Sequence, residues 1–126
     1  LPAAQCFEGN SDVLVAPAWR MPEGARTRSA ALEFVAKALL REYGVTMGEA
    51  FELGGRYHPS AGLSPEVVLP FAIEVRKVER AERTLTWIAL EDLAKNAARI
   101  RDGHLLVLVS RASHALANAN ANANAT

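Results

Sequence analysis

Residues 27–45 read TRSAALEFVAKALLREYGV, and their spacing decides the fold class. Leu32, Val35, Ala36, Leu39, Leu40 and Tyr43 recur at helical intervals, with Glu33, Lys37, Arg41 and Glu42 on the other faces. Ser29 or Thr27 stands where an N-cap hydroxyl belongs, and Gly44 where a helix ends on a left-handed glycine. The spacing predicts a helix whose buried face is Leu32, Val35, Leu39 and Tyr43.

Upstream, the β-branched run Val13–Ala16 sits between Asn10-Ser11-Asp12 and Pro17 and reads as a buried strand. Pro22 and Gly24 make residues 20–28 a loop. Downstream, Phe51, Leu53 and Tyr57 predict a strand over 48–57, broken at Gly54-Gly55. Pro59, Ser60, Gly62, Ser64 and Pro65 make residues 58–65 a turn-rich loop. Residues 67–78 form a long β-type run in which Pro70 implies a bulge or an edge position. Thr84–Ile88 reads as a further strand, then helices over about 90–98 and 105–116 with a break at Asp102-Gly103. Helices and strands in this order predict a mixed α/β (α+β) domain over residues 1–116. Ala117–Ala125 alternates Ala and Asn and reads as a low-complexity tail over 117–126.

The chain has 126 residues, half of them hydrophobic and 22% charged, which fits one globular domain. Lys plus Arg and Asp plus Glu both number 14, so there is no basic surplus of the kind a nucleic-acid binder carries. The one cysteine, Cys6, excludes an internal disulfide framework and fits a reducing, cytoplasmic compartment. No apolar run approaches the roughly 20 residues that span a bilayer, which predicts no membrane association. No signal-peptide pattern opens the chain, and the missing initiator Met suggests a piece of something longer.

Phosphate-loop, zincin, nucleophile-elbow and C-x-x-C motifs are all missing from the sequence. His58, His104 and His114 are scattered and read as surface or capping residues. Trp19 and Tyr57 are either stacking platforms for a base or core aromatics. Arg20 is a candidate phosphate contact. Glu42 is either a metal ligand or a solvated glutamate at a helix C-terminus.

Taken together, two stretches go further. The first runs from Trp19-Arg20-Met21-Pro22-Glu23-Gly24 into the helix ending Arg41-Glu42-Tyr43-Gly44-Val45. The second runs from Gly55-Arg56-Tyr57-His58-Pro59-Ser60-Ala61-Gly62 through Glu66 into the strand that follows. Both resemble the Nudix family of nucleoside-diphosphate-linked pyrophosphatases, specifically its ADP-ribose and nucleotide-sugar branch. Thr86–Leu93 resembles that branch's strand-to-helix step, and Ile100–Gly103 the approach to its last helix. The likeness implies a mixed β-sheet flanked by helices, with the usual opening strands short or missing.

The resemblance implies a substrate loop containing Pro59, Ser60 and Gly62, with Glu66 as the catalytic carboxylate. It also implies Glu42 as a metal ligand, Mg²⁺ as cofactor, a nucleotide-sugar-like small molecule as partner and a possible homodimer. The family box is G-x5-E-x7-R-E-U-x-E-E-x-G-U, whose clustered glutamates hold divalent cations against a pyrophosphate. Anchored on Gly44-Val45, its Arg-Glu pair becomes Lys37-Ala38 and its Glu-Glu pair Arg41-Glu42. The early glutamate falls at Ser29 or Ala30, and the Gly24 spacing is one residue short. Glu42 is the box carboxylate that survives. The expected function is therefore a ligand-binding or regulatory module with a degenerate box. The alternative is an active Mg²⁺-dependent hydrolase using Glu42, Glu66 and carboxylates such as Glu49, Glu52 or Glu74.

Overall fold

The computed structural model describes residues 13–24 and 26–125; Cys6 and the turn residues Asn10–Asp12 lie outside them. In chain order the elements are α1 (Arg28–Tyr43), β1 (Val45–Glu52), β2 (Phe71–Val78), α2 (Leu90–Lys95), a short 3₁₀ turn (Ala97–Arg99) and α3 (Gly103–Ala125). Among the described residues the architecture is α+β: helices with one two-stranded sheet, β1 beside β2. At one end of the ladder Glu79 N–H donates to Gly44 O at 2.8 Å, and at the other Leu53 N–H donates to Pro70 O at 3.1 Å. The strands are therefore antiparallel. Among the described residues, no helix is long and apolar enough to cross a membrane.

The chain divides into two compact units. One takes residues 17–51 and 72–86, with α1 and most of the sheet. Helix α1 starts where the sequence indicates: Thr27 is the N-cap, its Oγ1 accepting from Ala30 N–H at 3.1 Å. It ends on Gly44, whose φ of 68° is left-handed and whose N–H reaches Leu39 O and Leu40 O. A side chain at Gly44 would also collide with the Glu79 carbonyl, so the corner between α1 and β1 demands glycine on two counts. Ala31, Ala38, Leu39 and Val45 are the buried hydrophobic residues of this unit. Leu32, Val35 and Tyr43 are half-buried and Leu40 is exposed, so the buried stripe is rotated toward the alanines. Small side chains permit the closest approach.

The other unit includes residues 52–71 and 87 onward. Its buried hydrophobic residues are Leu53, Leu105 and Val109. Tyr57 and Val68 form an isolated antiparallel bridge, exchanging N–H···O bonds of 3.0 and 2.8 Å, which closes the base of the loop 58–67. Strand β2 begins only at Phe71, immediately after Pro70, which has no N–H to give a ladder. Helix α2 packs against α3. Asp102 starts α3, its carboxylate accepting from Leu105 N–H at 2.9 Å.

Several sequence expectations are corrected. Val13–Ala16 is not part of a strand among the described residues, and Val13 and Val15 are exposed. Thr84–Ile88 takes no regular secondary structure, and Trp87 is 62% exposed. The strand expected over 48–57 instead occupies Val45–Glu52, and the run 67–78 shortens to Phe71–Val78. The helix expected over 105–116 runs longer, from Gly103 through the Ala/Asn segment to Ala125, with every residue from 114 to 124 exposed. Alanine's helix propensity and an already nucleated helix outweigh asparagine's preference for turns.

Candidate functional site

Glu42 lies on the last turn of α1, with its side chain 24% exposed. Its Oε2 accepts from Trp19 Nε1 at 2.8 Å and from Arg41 at 3.2 Å; its Oε1 accepts from Arg83 at 3.1 Å. The backbone is tied in parallel, Arg83 N–H donating to Glu42 O at 3.1 Å. The Arg83 guanidinium lies 5.0 Å from the centre of the Tyr43 ring, and Trp19 meets Tyr43 edge-on at 6.4 Å. The Trp19 hydrogen bond, then those of Arg83 and Arg41, hold the Glu42 carboxyl below the usual glutamate range against the opposing effect of desolvation. The result is one carboxylate clasped by an indole and two guanidiniums, with aromatic faces behind.

The other candidates, Arg20 aside, lie apart from this cluster in the chain. Arg20 is exposed, next to Trp19. Pro59, Ser60 and Gly62 are exposed on the turn 59–63 of the second unit, where Ser60 O accepts from Leu63 N–H and Ser64 N–H, each at 2.9 Å. Glu66 is exposed on the same loop, its N–H donating to Ser64 Oγ at 3.2 Å. The loop so ordered pushes Leu63 out until it is 92% exposed. Of the further carboxylates, Glu74 is paired with Arg76 at 3.0 Å. Among the described residues, no three side chains of His, Cys, Asp and Glu are grouped to hold a metal ion.

A second polar cluster escaped the sequence reading. The Tyr57 hydroxyl and His104 Nδ1 are 2.7 Å apart, across 47 residues of chain. Arg111 covers the Tyr57 ring at 5.2 Å and donates Nη1 to Leu53 O at 2.8 Å and also to Gly55 O. Between those carbonyls Gly54 adopts φ 73°, and a side chain there would press on the Arg111 guanidinium. Burial pushes the Tyr57 hydroxyl up, the Arg111 charge opposes this, and Asp102 and Glu66 add to the rise. The Tyr57 hydroxyl and His104 Nδ1 share one hydrogen bond, whose donor is set by the His104 tautomer. The readable signal was that His104 and Arg111 fall on one face of the same helix, opposite a tyrosine set beside two glycines.

A shallow groove of about 480 Å³ between α2 and α3 is lined by Leu90, Ala94, Leu116 and Ala117, together with Ser113, whose Oγ is buried with no partner among the described residues. No family model, no curated protein and no solved structure matches the chain.

Proposed function

We propose that this chain is a Nudix-like module that binds a nucleotide-sugar-like ligand without metal-dependent turnover. The observation that carries the reading is the state of Glu42, the box carboxylate that survives in the sequence. Both its oxygens are engaged by Trp19, Arg41 and Arg83, two of which are cations. A divalent ion at Glu42 would have to displace those donors and sit against their charge, whereas family catalysis needs clustered, cation-hungry carboxylates. On this reading Glu42 is an internal anion that organises the end of α1 and the Trp19 segment. Mg²⁺ would enter only with the hydrolase alternative.

The finer fold, a Nudix-like mixed sheet flanked by helices, belongs to the same proposal, as do the cytoplasmic setting and the homodimer. The ligand contacts are the loop residues Pro59, Ser60 and Gly62 with Glu66 beside them. The balanced composition argues against nucleic acid as a partner.

Calorimetric titration with ADP-ribose, with and without EDTA, tests the reading alongside a Mg²⁺-dependent hydrolysis assay. Binding that ignores the chelator, with no turnover, is expected. Turnover abolished by EDTA and by Glu42→Gln overturns the proposal in favour of the hydrolase.

A further inference from the structure

We propose that Tyr57, His104 and Arg111 form a clamp that fixes the exposed loop 58–67 on α3, so that His104 and Arg111 are positioning residues for whatever the loop binds. The inference rests on the reading that this loop contacts the ligand. Three observations converge on it. First, the loop is pinched shut at its base, where Tyr57 and Val68 exchange both backbone hydrogen bonds. Second, the side chain of the base residue is held from two sides, by His104 Nδ1 at its hydroxyl and by the Arg111 guanidinium over its ring. Third, Arg111 grips the chain just before the loop by donating to Leu53 O and Gly55 O.

Beyond this base the loop is held by its own turn, in which Ser60 O and Ser64 Oγ accept backbone N–H groups. The residues from His58 to Leu63 are all exposed, and Leu63 is 92% exposed. A loop tip cannot stabilise itself by burial, so its order depends on where its ends are anchored. The clamp supplies that anchor from a helix whose adjacent residues Leu105 and Val109 are buried. Fixing the loop before a ligand arrives removes part of the ordering cost of binding.

The test follows amide hydrogen exchange over 58–67 and ADP-ribose affinity in the full chain. Tyr57→Phe and His104→Ala should each raise exchange in the loop about tenfold and weaken ADP-ribose binding several-fold, with exchange in α1 unchanged. His104→Asn places an amide, able to accept or donate, near the position of Nδ1 and should restore both readouts toward the wild type. Arg111→Ala should exceed either change; if it fails to fold, the milder Tyr57→Phe decides. Unchanged loop exchange in both mild variants overturns the clamp, and so does a His104→Asn variant as impaired as His104→Ala. Increased exchange in α1 to the same degree marks general destabilisation and also overturns it. Faster loop exchange with unaltered affinity refutes the positioning role. Should the wild type not bind ADP-ribose at all while the exchange results hold, the clamp stands and the proposed ligand falls.

Discussion

The Glu42 and Tyr57 clusters use the same parts for different ends. Each sets an arginine over a tyrosine ring, at 5.0 Å for Arg83 on Tyr43 and 5.2 Å for Arg111 on Tyr57. Each adjoins a glycine of positive φ, Gly44 at 68° and Gly54 at 73°. They part at the acceptor. Arg83 donates to a carboxylate and so completes a charge balance, whereas Arg111 donates to the carbonyls of Leu53 and Gly55 and so splints the backbone. An ion cluster responds to pH and salt, while a cation on neutral carbonyls responds mainly to geometry. The first arrangement organises a helix end; the second anchors a loop.

The largest effect expected lies beneath the first cluster. Leu39→Ala should cost about 2–5 kcal/mol in denaturant unfolding, since the residue is only 4% exposed. A loss below about 1 kcal/mol would mean that α1 does not bury this face. Next, Arg111→Ala should cost about 1–3 kcal/mol by leaving two backbone acceptors short of a donor. Arg111→Lys should recover little, because a point charge cannot both reach the carbonyls and lie flat on the Tyr57 ring. Full recovery by lysine would reduce the splint to simple charge.

The pH response should separate the clusters most cleanly. The folded state holds the Glu42 carboxyl below its ordinary value, so its contribution is present above the unfolded value and is lost as pH falls through the folded one. Glu42→Gln should therefore flatten the acid limb of the stability profile, measured by urea titration from neutral pH downward. An acid limb as steep in the variant as in the wild type would show that the carboxylate is not the responding group. The smallest effect belongs to the exposed pair of Lys37 and Glu33 at 3.2 Å. Lys37→Ala should stay within about 0.5 kcal/mol.

Helix α1 was legible because its signals are local: a Thr27 hydroxyl, an apolar period and a terminal glycine all lie within one stretch. What the pattern missed there was the rotation of the buried stripe toward Ala31 and Ala38, since hydrophobicity ranks leucine above alanine whatever the space between elements. Thr84–Ile88 failed as a strand for a different reason. A short β-branched run carries strand propensity, yet a strand exists only with a partner, and the partner is not written in the run itself. The same holds for the site. Glu42 was found through its place in a helix pattern, but its donors Trp19 and Arg83 come from segments on either side of that helix. Tyr57 and His104 are more than a third of the chain apart and share no motif, so only folding brings them together.

The far half of α3 bears on how all of these measurements should be read. Residues 114–124 are helical yet exposed, and nothing beyond Arg111 carries a formal charge except His114 when protonated. Asparagine is a weaker helix former than alanine by roughly half a kcal/mol per residue, and a stretch this short is marginal without packing. Far-ultraviolet ellipticity should therefore decline gradually on heating, well before the buried residues let go. Tryptophan fluorescence from Trp19, hydrogen-bonded to Glu42, should instead change in one cooperative step. A melting curve taken at 222 nm alone would mistake the fraying of one helix for the unfolding of the protein.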